Sequence, residues 1–151
     1  AECKARFFRK DRSAIVLSAS INDTAYLNGQ GPRTPQRTMV RHFEENIDEL
    51  SGLADLIVIG AGPILEHRLP MAFYGYDFAF KNEAIKEAET LFAAACAERG
   101  IPFLPTFDAL LGNADYLAAL EAIDGVHPSG DGYQIMADQV ADWDGWRGVV
   151  G

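Results

Sequence analysis

The stretch DLIVIG at residues 55–60 decides the fold, because it is short, continuously apolar and rich in β-branched side chains. A run of this kind predicts a strand that is covered on both faces, as in the parallel sheets of α/β proteins. AIVLS at residues 14–18 is a second run of the same kind, and IPFL at residues 101–104 is a shorter third. The sequence therefore predicts three buried strands that belong to one sheet.

Amphipathic patterns between these runs predict helices. Thr34 and Pro35 suit a helix start, with Thr34 as the cap and Pro35 at the first helical position. The pattern over residues 82–99 is followed by Gly100, a common helix terminator. Shorter helices are predicted at residues 2–9, at residues 115–120 and from residue 130, and a long aromatic loop is predicted at residues 61–80.

Strands and helices alternate along all 151 residues, without an internal repeat or a linker. That alternation predicts parallel strands joined by right-handed crossovers, in a single α/β layered domain over residues 1–151. Ligands of such sheets bind beyond the carboxyl ends of the strands. We therefore expect the functional site in the loops that follow the three strands.

The composition narrows the classes of function. The formal net charge of -9 repels phosphate backbones and anionic lipid, which disfavours nucleic-acid and membrane-surface roles. No apolar run approaches bilayer-spanning length and the first residues hold no secretory hydrophobic region, so we expect no membrane span and a cytoplasmic location. Cys3 and Cys96 are expected to be reduced, buried thiols. The three histidines have no metal-ligand spacing, so no metal site is expected.

DGVHP at residues 124–128 is the strongest candidate for chemistry. A histidine that acts as a base needs a carboxylate on one ring nitrogen to fix its tautomer and orientation. Asp124, three residues before His127, can supply that bond locally, and Gly125 permits an unusual backbone angle. The alternative is an ordinary turn, in which Asp124 binds backbone amides and His127 is a surface side chain.

SIND at residues 20–23, just past the first predicted strand, is the second candidate. The side-chain amide of Asn22 can donate to a developing oxyanion, and Asp23 can fix the turn. The alternative is an Asx turn at a strand end. In the aromatic loop, Phe73 and Tyr74 are expected to contact substrate, as a pocket wall or a lid, with packing over the sheet edge as the alternative.

Together these two segments resemble the SGNH hydrolases, also called GDSL esterases or lipases. That family ends a strand with Gly-x-Asn-Asp and carries Asp-x-x-His, often followed by Pro, near its C-terminus. Here the matching segments are Ser20-Ile21-Asn22-Asp23 and Asp124-Gly125-Val126-His127-Pro128, in the same order and strand context. The resemblance implies a three-layer α/β/α sandwich of the flavodoxin-like type, with a mainly parallel sheet.

By this resemblance, His127 is the general base, Asp124 is its partner and Asn22 is an oxyanion donor. The family cleaves or transfers acyl groups without a cofactor, so the resemblance implies a serine ester hydrolase that acts on small carboxylic esters. Ser20 replaces the family's glycine and adds a side chain beside the oxyanion site, where it is expected to contact the substrate.

The family's nucleophilic serine lies in a Gly-Asp-Ser segment after its first strand, and no such segment occurs in this sequence. None of the five serines present sits in a strand-to-helix elbow. We therefore expect the sequence to begin within the fold, and a companion segment or chain to supply the nucleophile and the N-terminal strands. The alternative is a catalytically inactive α/β binding module that retains the fold.

Overall fold

A computed structural model describes residues 13–19 and 21–150. The strands are β1 (Ala14–Ser18), β2 (Tyr26–Leu27), β3 (Asp55–Ile59), β4 (Met71–Phe73), β5 (Tyr76–Ala79) and β6 (Phe103–Leu104). The helices are α1 (Gln36–Ser51), α2 (Asn82–Glu98), α3 (Phe107–Leu111), α4 (Ala114–Glu121), α5 (Gly130–Asp142) and α6 (Asp144–Val150). Two short 3₁₀ turns lie at Ile21–Thr24 and Glu66–Arg68.

The central sheet is parallel and has the strand order β1-β3-β6. Ser18 at the end of β1 lies opposite Ile59 at the end of β3, and Leu104 at the end of β6 also pairs with Ile59. The three carboxyl ends therefore meet at one edge of the sheet. That edge is where the sequence places its candidate functional loops.

Helices cover both faces of β3, the central strand of this sheet. Leu56 and Val58 of β3 belong to a core cluster with α1 and α2, in which the rings of Phe43 and Phe92 stack with centroids 4.0 Å apart. Ile57 alternates to the opposite face and is fully buried, and α6 contacts β3. The predicted α/β layering with a parallel sheet is confirmed.

A second, antiparallel sheet of order β2-β5-β4 was not expected from the sequence. β4 and β5 form a hairpin inside the segment predicted as a loop at residues 61–80, so that part of the prediction is wrong. Tyr74 and Gly75 close the hairpin with φ angles of 49° and 79°. Two successive positive φ angles give the tight turn that matches the twist of paired strands. Tyrosine is an uncommon residue at such a position, which is why the pattern did not indicate a turn.

The start of α1 also differs from the prediction. The helix begins at Gln36, and Pro35 rather than Thr34 occupies the N-cap position, with no side-chain cap hydrogen bond. The hydroxyl of Thr34 instead donates to Asp23 Oδ1 at 3.0 Å. This bond ties the helix entry to the 3₁₀ turn that carries Asn22.

Other boundaries shift for local reasons. The third strand is shorter than predicted, because the N–H of Ile101 bonds to Cys96 O at the end of α2, at 2.9 Å. α3 and α6 were not predicted as separate helices. Cys96 is buried and free, as predicted, and burial raises the pKa of its thiol to about 11. The predicted helix at residues 2–9, with Cys3, lies outside the described residues.

β1 keeps one free edge within the part of the chain that the structure describes. No strand among residues 13–19 and 21–150 pairs with the side of β1 that faces away from β3. Val16, at the centre of β1, is 46% exposed. An apolar strand with an uncovered edge invites pairing with another chain.

No helix in residues 13–19 and 21–150 combines the length and the apolarity that crossing a membrane requires.

Candidate active site

Asp124 and His127 meet in the loop between α4 and α5. Nδ1 of His127 lies 2.8 Å from Oδ2 of Asp124. The other oxygen, Oδ1, accepts hydrogen bonds from the backbone N–H of Val126 at 2.8 Å and of His127 at 2.7 Å. One carboxylate therefore closes the turn and also contacts the imidazole. The sequence allowed two interpretations of DGVHP, a turn and a His–Asp pair, and the structure contains both.

The charge state of Asp124 follows from its contacts. Partial burial raises the pKa of this carboxyl, but hydrogen bonds from the backbone and ring of His127 and from the backbone of Val126 outweigh it, and the pKa is lowered. An ionised carboxylate only accepts hydrogen bonds, so Nδ1 of a neutral His127 must carry the proton. That tautomer leaves the lone pair on Nε2. The His127 side chain is 63% exposed, so the ring is open to a small molecule.

Gly125 is needed at its position for two reasons. Its φ of 84° is one that side chains other than glycine rarely adopt. A β-carbon on Gly125 would also lie 2.7 Å from Cβ and 2.9 Å from Cγ of Arg68, well inside van der Waals contact. The predicted unusual backbone angle is present, and the close packing on Arg68 adds a steric reason that the sequence did not indicate.

Asn22 lies in the 3₁₀ turn Ile21–Thr24 directly beyond β1, and its side chain is exposed. Its backbone carbonyl accepts a hydrogen bond from the N–H of Ala25 at 3.3 Å. The buried hydroxyl of Thr24 donates to Ile21 O at 2.7 Å. These bonds fix the turn that presents Asn22. Ser20, the residue expected to contact substrate beside it, lies outside the described residues.

One hydrophobic cluster supports both candidate loops. We call it the site-side cluster, and its buried members are Ala25, Ile64, Phe80, Ile85 and Phe107. Ile21, next to Asn22, and Val126, next to His127, both pack against this cluster. The residues next to Asn22 and His127 therefore pack against the same hydrophobic cluster, although the two motifs are about a hundred residues apart in sequence.

Phe73 and Tyr74 lie at the exposed end of the β4–β5 hairpin, where they are 59% and 88% exposed. Their rings contact each other edge to face, with centroids 4.4 Å apart. Met71 and Phe78 at the base of the same hairpin pack against the site-side cluster. The hairpin is thus rooted beside the candidate site, and its tip stands in solvent rather than packing over a sheet edge.

Sequence reasoning missed Arg68, which reaches the loop of Asp124 from the 3₁₀ turn Glu66–Arg68. Its guanidinium donates to the carbonyl oxygens of Glu121 at 3.0 Å and Ile123 at 3.2 Å, and also pairs with the Glu121 carboxylate. His67 contacts the same carboxylate through Nε2 at 3.0 Å. No local pattern indicates these contacts, because the partners are more than fifty residues apart in the chain.

Glu89, also missed, is a buried carboxylate at the carboxyl edge of the sheet and is only 4% exposed. Oε1 accepts hydrogen bonds from the backbone N–H of Thr106 at 2.7 Å and of Phe107 at 3.0 Å, at the start of α3. A β-carbon on Gly60 would collide with Oε1, so glycine at the end of β3 makes room for this contact. The sequence does indicate that Glu89 is buried, since position 89 falls on the apolar stripe of α2.

The arrangement can move a proton at Nε2 of His127 and can stabilise an imidazolium through Asp124. Within residues 13–19 and 21–150, no three His, Cys, Asp or Glu side chains are grouped so as to hold a metal ion. The geometry is that of a hydrogen-bonded His–Asp pair, in a loop that packs against the same cluster as the turn beyond β1.

The parallel sheet, its helices and the Asp–His loop before the last long helix define an α/β protein of the acylhydrolase type of fold. The chain belongs to the GDSL-like lipase/acylhydrolase family, which it matches over residues 3–135. The resemblance drawn from the two motifs is thereby confirmed. A comparison with curated protein sequences gave no match.

Three solved structures show the same fold. A lipase/acylhydrolase from Enterococcus faecalis superposes with a TM-score of 0.69 at 19% identity, over 89% of this chain and 62% of its own. A candidate acylhydrolase from Bacteroides fragilis superposes with a TM-score of 0.63 at 18% identity, over 85% of this chain and 59% of its own. A protein from Lactobacillus plantarum superposes with a TM-score of 0.57 at 14% identity, over 91% of this chain and 69% of its own. The chain thus spans less than two thirds of the length of the first two structures.

Proposed function

We propose that this chain supplies the base and the orienting carboxylate of a serine ester hydrolase. The observation that carries the proposal is the 2.8 Å contact between Asp124 Oδ2 and His127 Nδ1, in a loop that backbone hydrogen bonds hold. A serine hydroxyl attacks the ester carbonyl while His127 Nε2 takes its proton, and His127 then protonates the leaving alcohol. Water repeats the same two proton transfers to release the acid and regenerate the serine.

In this mechanism the side-chain amide of Asn22 donates a hydrogen bond to the oxyanion, which is the former carbonyl oxygen of the ester. Its position in an exposed turn just beyond β1 supports that role. A side-chain amide donor fixed before reaction stabilises the developing charge without having to reorganise. Ser20 precedes this turn, so a side chain at that position is proposed to narrow the pocket around the carbonyl.

The nucleophilic serine is proposed to come from a companion segment outside these 151 residues. The free edge of β1 supports this assignment, since a strand added there parallel to β1 would end beside the turn that carries Asn22. The exposed side chains of Ala14, Val16 and Ser18 lie on the face of β1 that such a segment would also cover. The proposed partner is thus a strand-forming segment paired with β1.

The proposed substrates are small carboxylic esters. Phe73 and Tyr74 are proposed to contact their apolar portion, because the hairpin that carries them is rooted in the site-side cluster. Aromatic side chains offer apolar area at a low cost in side-chain entropy, which suits a contact that forms only when substrate is present.

The proposal is tested by labelling the chain, together with the companion segment proposed to carry the serine, with a fluorophosphonate probe, which reacts with activated serines. Stoichiometric labelling at one serine, lost after His127→Ala, is the expected result, because the probe needs the base to activate the hydroxyl. Absence of labelling in a folded protein would favour the non-enzymatic binding module instead. Hydrolysis of a short activated ester, followed in parallel, separates turnover from simple acylation.

Tyr74→Asn is expected to stabilise the fold and weaken the binding of esters with bulky acyl groups. Tyr74 holds a φ of 49° while 88% exposed, and its ring contacts the ring of Phe73, which is itself 59% exposed, so we expect the strain to outweigh that contact. Asn is favoured at this turn position, and relief of the strain is expected to raise stability by about 1 kcal/mol. KM for an aryl or medium-chain ester is expected to rise about fivefold, with kcat for an acetyl ester unchanged.

Tyr76→Asn is the matched control for that experiment. Tyr76 belongs to the same hairpin and is 51% exposed, but it lies within β5. Asn is a poor strand former, so this variant is expected to lose stability rather than gain it. Thermal unfolding of both variants decides the point, and a lower melting temperature for Tyr74→Asn than for the parent chain would contradict the strain argument.

A further inference from the structure

The loop of Asp124 begins where α4 ends, and a helix end leaves its last carbonyl groups without intrahelical partners. The N–H of Gly125 bonds to Leu120 O at 3.0 Å and that of Ala122 to Ala118 O at 3.0 Å. The carbonyls of Glu121 and Ile123 accept instead from Arg68, at 3.0 Å and 3.2 Å. Arg68 therefore provides hydrogen bonds that the helix itself does not supply.

The segment of Arg68 contacts the loop on both sides of Asp124. Before Asp124, the guanidinium holds the carbonyls of Glu121 and Ile123. After Asp124, the stem of Arg68 packs against Gly125, whose added β-carbon would lie 2.7 Å from Arg68 Cβ. The N–H of Leu65, three residues earlier, donates to Gly125 O at 2.7 Å. The backbone of Asp124 is thus held on both sides by contacts from one short segment, residues 65–68.

We propose that Arg68 is a positioning residue that fixes the loop in the conformation where Asp124 contacts His127 Nδ1. The proposal rests on the proposed function for its catalytic meaning, but the contact it concerns exists apart from any reaction. The planar guanidinium spans two carbonyls at once, which a lysine ammonium on a flexible stem does not do. The ion pair with Glu121 is half exposed and contributes little.

Without the guanidinium, the two carbonyls are left to water, and the loop around Asp124 loses two of the hydrogen bonds that fix its backbone. Oδ2 then holds Nδ1 for a smaller fraction of the time, and the neutral imidazole places its proton more often on Nε2. Only the tautomer with the proton on Nδ1 offers Nε2 as a base. The tautomer of His127 is therefore a direct readout of the positioning that we assign to Arg68, and a purely structural role elsewhere would not change it.

The test measures the tautomer of His127 by long-range ¹H–¹⁵N NMR on the ring-labelled chain, at a pH where the ring is neutral. The parent chain is expected to show mainly the Nδ1–H form, and Arg68→Ala is expected to lower the ratio of the Nδ1–H to the Nε2–H form by about threefold or more. Asp124→Asn marks the opposite limit, because its carbonyl oxygen keeps the two backbone hydrogen bonds and its NH2 group then donates to Nδ1, which favours the Nε2–H form.

Three further variants separate the causes. Arg68→Lys keeps the charge but not the fork, so it is expected to behave like Arg68→Ala and also covers the case in which the alanine variant does not fold. Glu121→Gln removes the ion pair but keeps the carbonyl, so the parent ratio is expected. Arg41→Ala removes an exposed cation paired with Glu45 on α1, and is also expected to leave the ratio unchanged.

A parent-like ratio in folded Arg68→Ala or Arg68→Lys would overturn the proposal, as would a lowered ratio in Glu121→Gln alone. When the chain is assayed together with the companion segment that carries the serine, Arg68→Lys is expected to lower kcat about tenfold with KM unchanged, because misorientation of the base affects the transition state and not binding. If that assembly proves inactive, the proposed function fails while the NMR result still decides the role of Arg68.

Discussion

His127→Ala is expected to lower kcat for a short activated ester by about 10⁴-fold or more when the companion segment that carries the serine is present, while KM changes little. The imidazole is the only group in the proposed mechanism that removes the serine proton and returns it to the leaving alcohol. Groups that act as a unit in such sites lose nearly all their contribution when one is removed. The residual rate then comes from binding and from the oxyanion donor.

The fold should survive this substitution, because the His127 side chain is 63% exposed. Substitutions at such sites change stability by about 0.5 kcal/mol or less. His42→Ala is the matched control, since His42 is also an exposed histidine and lies on α1, where it contacts Arg41. Circular dichroism and thermal unfolding verify the fold of both variants. A kcat of His127→Ala within tenfold of the parent value would exclude the role assigned to His127.

Glu89→Leu is expected to destabilise the fold by about 3 kcal/mol or more. The substitution fills a similar volume but removes the acceptor of two buried N–H groups, those of Thr106 and Phe107. Each buried donor left without a partner costs about 1–3 kcal/mol. For a chain of this size, the melting temperature should fall by roughly 6–12 °C, as measured by thermal unfolding followed by far-ultraviolet circular dichroism.

Two controls isolate the cause of that loss. Glu89→Gln keeps a carbonyl oxygen that can accept both hydrogen bonds, so we expect it to retain most of the stability that Glu89→Leu loses. Glu87→Leu places the same new side chain on an exposed position of α2 and should change stability by about 0.5 kcal/mol or less. Equal melting temperatures for Glu89→Leu and Glu87→Leu would show that the buried carboxylate does not hold the start of α3.

The main strands and long helices could be predicted from the sequence because their signals are local. The apolar runs at β1 and β3 and the amphipathic pattern of α2 each occupy enough consecutive residues to identify the element. β2, β4 and β5 contain two to four residues each, and their pairing depends on a turn closed by Tyr74, so no periodic signal reaches the length that identification needs.

Some contacts of the candidate site could likewise be predicted from the sequence, and others could not. The Asp124–His127 contact spans three residues, so spacing alone can propose it. The contacts of Arg68 with the Asp124 loop join residues more than fifty positions apart, and only the folded chain brings them together. Glu89 could be predicted in part. A carboxylate on the apolar stripe of a helix indicates that it is buried and hydrogen-bonded, but the sequence does not identify the donors. The roles of His127, Asp124, Asn22, Ser20, Phe73 and Tyr74 in a reaction stay predictions.

The site-side cluster has a consequence for how this protein can be altered. Ile21, Val126, Met71 and Phe78 all pack against it, so the turn of Asn22, the loop of Asp124 and His127, and the β4–β5 hairpin all depend on the same packing. A change of side-chain volume inside the cluster would shift all three together, since protein interiors are close-packed and transmit strain. At the exposed hairpin tip the coupling is weaker, because Tyr74 is 88% exposed and the ring of Phe73 contacts Phe78 edge to face with centroids 6.3 Å apart. Randomised libraries aimed at new substrate preferences therefore belong at the tip, and the cluster is best left intact.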